Sequence, residues 1–353
     1  MNILYKDIVY IPLLIGLTVN TIFLPIIKKI CLHYDFLDRR NESQKVSIRF
    51  GGVSMFIGLF LTFLFLINRN FYLSTNFLDI KTLSLVFTGI SLFSLLGMLD
   101  DIYNLSPFLR LILQITIASY IWSNGIAINI PIVLINFLPF LSSSLFSFLF
   151  TVIWITGITN SINWLDGLDG LASGYTLIAS LCFIYMGILN NQILGIVVAV
   201  FLFGTTISFL KYNFFPSKIY MGDGGSYLLG SSLALISLLN INQYSSINNI
   251  CLNLIILYIP LSDMFQVVTT RLLAGISPFY PDKRHLHHRI RRLGFSHRST
   301  VLIIYSYALI IFFLLFLSIN LKLNNLMVLT FLSISLLLVK FFKKDLIKLL
   351  KNN

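Results

Sequence analysis

The feature that most constrains this chain is a series of apolar runs, each about as long as a lipid bilayer is thick. A spanning helix needs about 20 apolar residues, and the 353-residue sequence contains about eleven such runs. Only 11% of the residues are charged and 57% are hydrophobic, which excludes a water-soluble globular domain. The sequence therefore predicts an all-α polytopic integral membrane protein that forms a single domain over 1–353. The predicted spans lie near 8–30, 50–67, 82–99, 108–124, 144–162, 171–189, 193–210, 226–242, 250–270, 299–319 and 325–342.

The distribution of basic residues predicts how these helices are oriented. Of the 25 Lys and Arg residues, 21 fall in one alternate set of loops and the C-terminal tail, and 4 fall in the other set. Because Lys and Arg collect in cytoplasmic loops, the first set is predicted to be cytoplasmic. The N-terminus is then outside and the C-terminus cytoplasmic, and the net charge of +12 reflects topology rather than a nucleic-acid partner. The predicted cytoplasmic segments are 31–49, 100–108, 163–170, 211–225, 271–298 and the basic tail 343–353.

Three acidic motifs are predicted to meet at the cytoplasmic face. Asp100 and Asp101 end the third apolar run. Asp166 and Asp169 end the fifth run, and Asp223 follows the seventh. A carboxylate at the end of a span is costly unless it is hydrated, paired or bound to a metal. Since the motifs contain no basic residue, a divalent cation is predicted to relieve their repulsion, and oxygen ligands favour Mg²⁺, with Mn²⁺ as the alternative.

Glycines and histidines accompany the acids. Gly167, Gly222 and Gly224 flank the carboxylates, and glycines of this kind are predicted to let backbone amides approach a phosphate or to take left-handed conformations. The largest predicted cytoplasmic loop contains the cluster His285-Leu286-His287-His288-Arg289. Imidazole and guanidinium groups donate hydrogen bonds to phosphate oxygens, so the cluster is predicted to bind a pyrophosphate.

Together these motifs resemble the polyprenyl-phosphate N-acetylhexosamine-1-phosphate transferases, which form glycosyltransferase family 4. The resemblance rests on GMLDD at 97–101, NSINWLDGLDGLA at 160–172, MGDGGS at 221–226 and HLHHR at 285–289. In that family, a polyprenyl phosphate attacks the β-phosphorus of a UDP-aminosugar in the first membrane step of bacterial cell-envelope glycan synthesis. The resemblance implies a multi-pass enzyme of the bacterial inner (plasma) membrane that uses Mg²⁺, UDP-N-acetylglucosamine and undecaprenyl phosphate. It does not decide whether the protein forms a homodimer.

The resemblance also implies roles for individual residues. Those implied to be catalytic are Asp100, Asp101, Asp223 and His287. Those implied to bind the metal are Asp223 and Asp101. Those implied to bind the substrates are Asn163, Asp166, Gly167, Leu168, Asp169, Asn213, Tyr220, His285, His288 and Arg289. Whether Asp100 or Asp101 deprotonates the lipid phosphate stays open.

Two alternatives accompany this prediction. The phospho-N-acetylmuramoyl-pentapeptide transferases of the same superfamily usually carry Lys where this chain has Asn104 and Thr where it has Leu165. The HxHHR motif and the eleven spans therefore favour the N-acetylglucosamine branch. A protein of another class, an ion-coupled membrane transporter, would place its acids near the bilayer midplane on broken helices. Here Asp263 is the chief acid predicted to lie within a span.

Overall fold

The protein is described from a computed structural model, which covers residues 3–33, 49–73, 79–129, 135–136, 138–244, 247–278, 280 and 282–320. All regular elements within these ranges are helical, and a 3₁₀ turn at Pro139–Ser142 precedes the fifth helix. The α-helices are α1 Ile3–His33, α2 Gly51–Leu73, α3 Ile80–Tyr103, α4 Pro107–Ser123, α5 Ser144–Leu165, α6 Leu171–Leu189, α7 Ile193–Asn213, α8 Gly222–Tyr244, α9 Ile247–Ile256, α10 Tyr258–Leu273, α11 Leu286–Arg292 and α12 His297–Asn320.

Most of these helices are long and apolar enough to cross a membrane. Within the described ranges, eight helices meet that standard of length and composition, or nine if the bent pair α9 and α10 forms one span. The prediction of an all-α polytopic membrane protein is therefore confirmed, while the number eleven stays a prediction. The predicted fourth span is α4, which has 17 residues. The eleventh predicted span, the basic tail 343–353 and most of the loop 31–49 lie outside the described residues.

The ninth predicted span, 250–270, is not one continuous helix. It breaks at Leu257 into α9 and α10, whose axes differ by 77°. Pro260 has no N–H to donate to the carbonyl of Ile256, four residues earlier, and proline commonly kinks a helix for this reason. The hydroxyl of Tyr175 in α6 donates to that carbonyl instead, at 2.5 Å. The prediction of an unbroken span was wrong, and Pro260 was the available signal.

Helix α8 forms the centre of the bundle, and every residue of its most apolar stretch is buried. Its glycine-rich start lies directly against α2 and α3. A Cβ atom on Gly52 would lie 2.3 Å from the nitrogen of Gly225, and one on Gly97 would lie 2.3 Å from the carbonyl oxygen of Asp223. Gly224 packs in turn against Met98. Gly52, Gly97 and Gly224 therefore serve close helix packing, while the approach of backbone amides near Gly222 and Gly224 to a phosphate stays a prediction.

This packing gives a first testable prediction at Gly97. In Gly97→Ala, the new methyl group would force α3 away from the start of α8, and such overpacking costs about 1–3 kcal/mol. We expect a lower melting temperature in detergent and an activity loss of at least about tenfold, because Asp223 would move with α8. Gly157→Ala is the matched control, since its Cβ would meet only the Met264 methyl carbon, at 3.7 Å. Equal melting temperatures for the two variants would contradict this account.

Candidate active site

Asp100 lies at the end of α3 and is paired with a cation from the next helix. Its Oδ2 accepts from Nη1 of Arg110 at 2.7 Å, and its Oδ1 accepts from the backbone N–H of Leu105 at 2.9 Å. The short turn between α3 and α4 makes this contact, because Asn104 adopts a left-handed conformation and Ser106 caps α4. The acidic site therefore contains a basic residue that lies outside the three acidic motifs.

Asp101 anchors the first turn of α8. Its two carboxylate oxygens accept from the backbone N–H groups of Asp223, at 2.9 Å, and Gly224, at 3.0 Å. The first N–H groups of a helix lack partners within the helix, and a carboxylate is favoured there by the helix dipole. Gly222, which precedes these donors, has a positive φ of 72°. Asp101 thus fixes the position of Asp223 through the backbone.

Asp223 joins the three acidic motifs into one network. Its Oδ1 accepts from Nδ2 of Asn163 at 2.7 Å, and the same amide nitrogen lies 2.8 Å from Oγ of Ser226. Its Oδ2 lies 3.9 Å from Nη1 of Arg110, the nitrogen that also contacts Asp100. The predicted convergence of the ends of α3 and α5 with the start of α8 is therefore confirmed.

Asp166 follows the last residue of α5, and the predicted helix end before Gly167 is confirmed. Its side chain accepts no hydrogen bond from the residues that the structure describes. Burial raises the pKa of its carboxyl group well above the usual value, and the nearby carboxylates of Asp223 and Asp101 raise this pKa further. A carboxylate in such surroundings is stabilised by a bound cation.

The donor set is compatible with a magnesium ion that is shared with a substrate. Asp223 and Asp166 supply the hard oxygen ligands that Mg²⁺ prefers. Within the described ranges, no three His, Cys, Asp or Glu side chains are arranged to hold a metal ion by themselves. In proteins, Mg²⁺ commonly binds through one or two carboxylates together with water and substrate phosphates.

Asp169 and Asn213 hold the turn after α5 in place. The Oδ2 of Asp169 accepts from the backbone N–H of Ser217, and the N–H of Asp169 donates to Nε2 of His297, both at 2.9 Å. The buried Oδ1 of Asn213 accepts from the N–H of Gly170 at 3.1 Å, and its Nδ2 donates to the carbonyl of Ile219. The structure thus gives both side chains a positioning role, and their contact with a nucleoside stays a prediction.

Gly167 brings this turn against the histidine cluster. A Cβ atom on Gly167 would lie 2.4 Å from Nε2 of His287, so only glycine leaves room for that ring. The neighbouring Leu168 is buried. Tyr220 is half-buried, and its carbonyl accepts from the N–H of Gly51 at 3.0 Å, which places it at the start of α2.

The histidines form a stack beside the acidic network. The rings of His285 and His287 are nearly parallel, with centroids 5.7 Å apart, and His285 meets the edge of the Trp164 indole at 5.5 Å. Burial lowers the pKa of His287 to about 3, so this imidazole is neutral at physiological pH. His288 is half-buried beside it, with ring centroids 4.3 Å apart, and Arg289 is buried at 7% exposure.

Two comparisons with known proteins bear on this site. The Glycosyl transferase family 4 model matches residues 83–241, which include all three acidic motifs. A Bacillus subtilis (strain 168) protein named "Probable undecaprenyl-phosphate N-acetylglucosaminyl 1-phosphate transferase" is 33% identical over 304 residues, which cover 84% of this chain and 81% of that protein. The chain belongs to glycosyltransferase family 4.

Other relatives show the breadth of the match. A Mycobacterium leprae decaprenyl-phosphate N-acetylglucosaminephosphotransferase is 33% identical over 75% of this chain and 71% of its own length. A phospho-N-acetylmuramoyl-pentapeptide-transferase of Clostridium perfringens is 27% identical over 83% of this chain and 92% of its own length. With its many apolar helices, this family 4 chain is a multi-pass protein of the bacterial inner membrane.

The structure also adds residues that sequence reasoning missed in this family 4 member. Arg271 is buried and forms a two-point ion pair with Asp282, through Nε at 3.0 Å and Nη2 at 3.1 Å. Its guanidinium lies 5.3 Å from the centroid of the Trp164 ring. Asp282 also contacts Nε of Arg284 at 3.3 Å, and its pKa is lowered because these hydrogen bonds outweigh its burial. These contacts attach the histidine loop, which is the segment between α10 and α12 that carries the histidine cluster, to the ends of α5 and α10.

Proposed function

We propose that the protein transfers N-acetylglucosamine-1-phosphate from UDP-N-acetylglucosamine to undecaprenyl phosphate. An oxygen of the lipid phosphate attacks the β-phosphorus of the donor, the bond from that phosphorus to the bridging oxygen breaks, and UMP leaves. The products are UMP and a lipid-linked N-acetylglucosamine pyrophosphate. The names of the relatives from B. subtilis and M. leprae support the transfer of an N-acetylglucosamine phosphate group and this type of acceptor.

The observation that carries the proposal is the network around Asp223. Carboxylates at the end of α3 and at the start of α8 lie around Arg110 and Asn163, the latter near the end of α5. A phosphoryl transfer between a membrane lipid and a soluble nucleotide needs this kind of site, because positioning and charge stabilisation account for most of its catalysis. In this proposal, Arg110 holds Asp100 in place and presents a positive charge to the reacting phosphates.

The metal that this reaction calls for is Mg²⁺. When bound, it supplies positive charge that offsets the developing charge on the diphosphate and on the departing UMP. We assign Asp223 as a ligand and Asp166 as its partner, because the side chain of Asp166 accepts no hydrogen bond in the described part of the chain and the carboxylate of Asp223 is close enough to raise its pKa. The sequence prediction paired Asp223 with Asp101, whose oxygens here accept backbone N–H groups, so in this proposal Asp101 positions Asp223.

A donor-competition assay tests the choice of substrate. We expect purified membranes that contain the protein to transfer label from UDP-N-acetylglucosamine to lipid, and an excess of UDP-N-acetylmuramoyl-pentapeptide to leave this transfer unchanged. The phospho-N-acetylmuramoyl-pentapeptide transferases are the second candidate, because the C. perfringens relative is named as one. Label transfer from the muramoyl donor alone would overturn the proposal in favour of that candidate.

The orientation in the membrane gives a further prediction. We propose that the site faces the cytoplasm, where UDP-sugars are made, and the 21-to-4 distribution of basic residues supports this orientation. A reporter inserted within 74–78 should therefore be accessible from outside the cell. A reporter inserted after Gly275 should be accessible only from the cytoplasm. The reverse pattern would contradict both the orientation and the access of the donor to the site.

A further inference from the structure

The acid that the sequence placed within a span, Asp263, lies next to the histidine loop. It sits in α10, six residues after the break at Leu257, and its side chain is 3% exposed. Its Oδ2 accepts from Nδ1 of His285 at 2.9 Å, and its Oδ1 accepts from the backbone N–H of Leu286 at 2.6 Å. One buried carboxylate therefore holds both the first histidine of the cluster and the start of α11.

This contact determines where the proton of His285 is placed. A carboxylate only accepts hydrogen bonds, so the nitrogen facing Asp263, Nδ1, carries the hydrogen. In the neutral imidazole, the other nitrogen, Nε2, then has a free lone pair and acts as an acceptor. This Nε2 has no hydrogen-bond partner among the described residues. When neutral, His285 thus presents an acceptor next to Trp164 and His287, where the sequence led us to expect a donor.

From this geometry we infer that Asp263 is a positioning residue whose contact with His285 makes that ring an acceptor for a hydroxyl or amide hydrogen of the sugar on the donor substrate. The inference rests on the proposed function, because it takes a nucleotide sugar as the ligand. A fully ionised phosphate oxygen has no hydrogen to donate, so it cannot satisfy the Nε2 lone pair. The sugar hydroxyls and the acetamido N–H of N-acetylglucosamine can do so.

Replacing Asp263 by asparagine separates this role from a structural one. The amide oxygen of the Asp263→Asn side chain can still accept from the N–H of Leu286, so α11 keeps its cap. The amide nitrogen then faces Nδ1 of His285 and can only donate. The ring would have to accept at Nδ1 and carry its hydrogen at Nε2, which inverts the tautomer and presents a donor to the sugar.

The experiment combines nitrogen NMR of ¹⁵N-histidine-labelled protein with binding measurements. The His285→Gln spectrum identifies the signals of His285 among the five histidines. We expect the Nδ1–H form in the unmodified protein and the Nε2–H form in Asp263→Asn. We expect the Kd for UDP-N-acetylglucosamine to rise about ten- to a hundredfold in Asp263→Asn, because a hydrogen bond to the sugar is replaced by two donors that face each other unsatisfied. The Kd for UDP should change less than about twofold.

Two further variants distinguish positioning from simple loosening of the loop. Asp282→Asn weakens the other attachment of the loop, through Arg271, and should leave the His285 tautomer unchanged. Asp263→Glu restores a carboxylate and should restore the Nδ1–H form together with part of the affinity for the sugar nucleotide. An unchanged His285 spectrum in Asp263→Asn, or equal losses of UDP and UDP-N-acetylglucosamine binding, would overturn the inference.

Failure of the proposed function would give a different result. The NMR signals report the tautomer without any substrate, so they test the contact even if the chain uses another donor. An unmodified protein that neither binds nor turns over UDP-N-acetylglucosamine would refute the proposed function. An active unmodified protein whose Asp263→Asn variant has normal affinity and a normal tautomer would refute the inference alone.

Discussion

Asp223→Asn should reduce turnover by about a hundredfold or more, the largest single effect that we expect in this chain. The substitution keeps the size of the side chain and an oxygen that can accept from Asn163, but it removes the negative charge. Loss of one preorganised charged contact to a transition state commonly costs two to three orders of magnitude. UMP release by the purified variant, measured over a range of Mg²⁺ concentrations, is the direct assay.

The matched control for this variant is Asp79→Asn. Asp79 caps the start of α3, at the opposite end from Asp100, and asparagine is an equally good cap. We expect normal turnover from Asp79→Asn. Turnover of Asp223→Asn within about twofold of the unmodified protein, at every Mg²⁺ concentration, would contradict the role proposed for Asp223.

The second large effect is expected at Arg289 in α11. Arg289 is 7% exposed, whereas Arg291, two residues later on the same short helix, is exposed. We propose that Arg289 acts on the donor pyrophosphate, because a guanidinium recognises phosphate oxygens and contributes little to a polyprenyl tail. Arg289→Ala should lower kcat/KM for UDP-N-acetylglucosamine at least about tenfold and leave the KM for undecaprenyl phosphate nearly unchanged.

The variant Arg291→Ala distinguishes donor binding by Arg289 from a general role of the basic loop in membrane orientation. If the loop serves only as a basic segment that fixes orientation, the two variants remove the same charge and should behave alike. We expect Arg291→Ala to retain nearly normal kinetics with both substrates. Steady-state titration of each substrate tests this difference, and an Arg289→Ala effect confined to the lipid substrate would contradict the assignment to the donor.

The sequence predicted the spans and the meeting of the acidic motifs because these depend on local patterns. Most of the predicted spans match described helices, although the ninth is divided into α9 and α10, and the ends of α3 and α5 meet the start of α8. The pairing of Asp100 with Arg110 could also have been predicted from the turn between them. Asn104, Ser106 and Pro107 are residues typical of a helix end followed by a helix start, and that turn brings α4 back beside α3.

Other features could not be predicted, because they depend on contacts between distant segments. A glycine can leave room either for a phosphate or for a neighbouring helix. The sequence therefore could not reveal that Gly97 and Gly224 pack at the interface of α3 and α8. The partners of Asp263 and Arg271 depend on how the break at Leu257 orients α10. Pro260 indicates that such a break can occur but gives neither its direction nor its partners.

The most direct test of the central proposal is a product assay with the purified, full-length protein. The reaction contains UDP-N-acetylglucosamine, undecaprenyl phosphate and Mg²⁺, and each is omitted in turn. We predict that UMP and lipid-linked N-acetylglucosamine pyrophosphate form in equal amounts, and only when all three are present. Release of UDP in place of UMP, or full turnover in the presence of EDTA, would contradict the proposal.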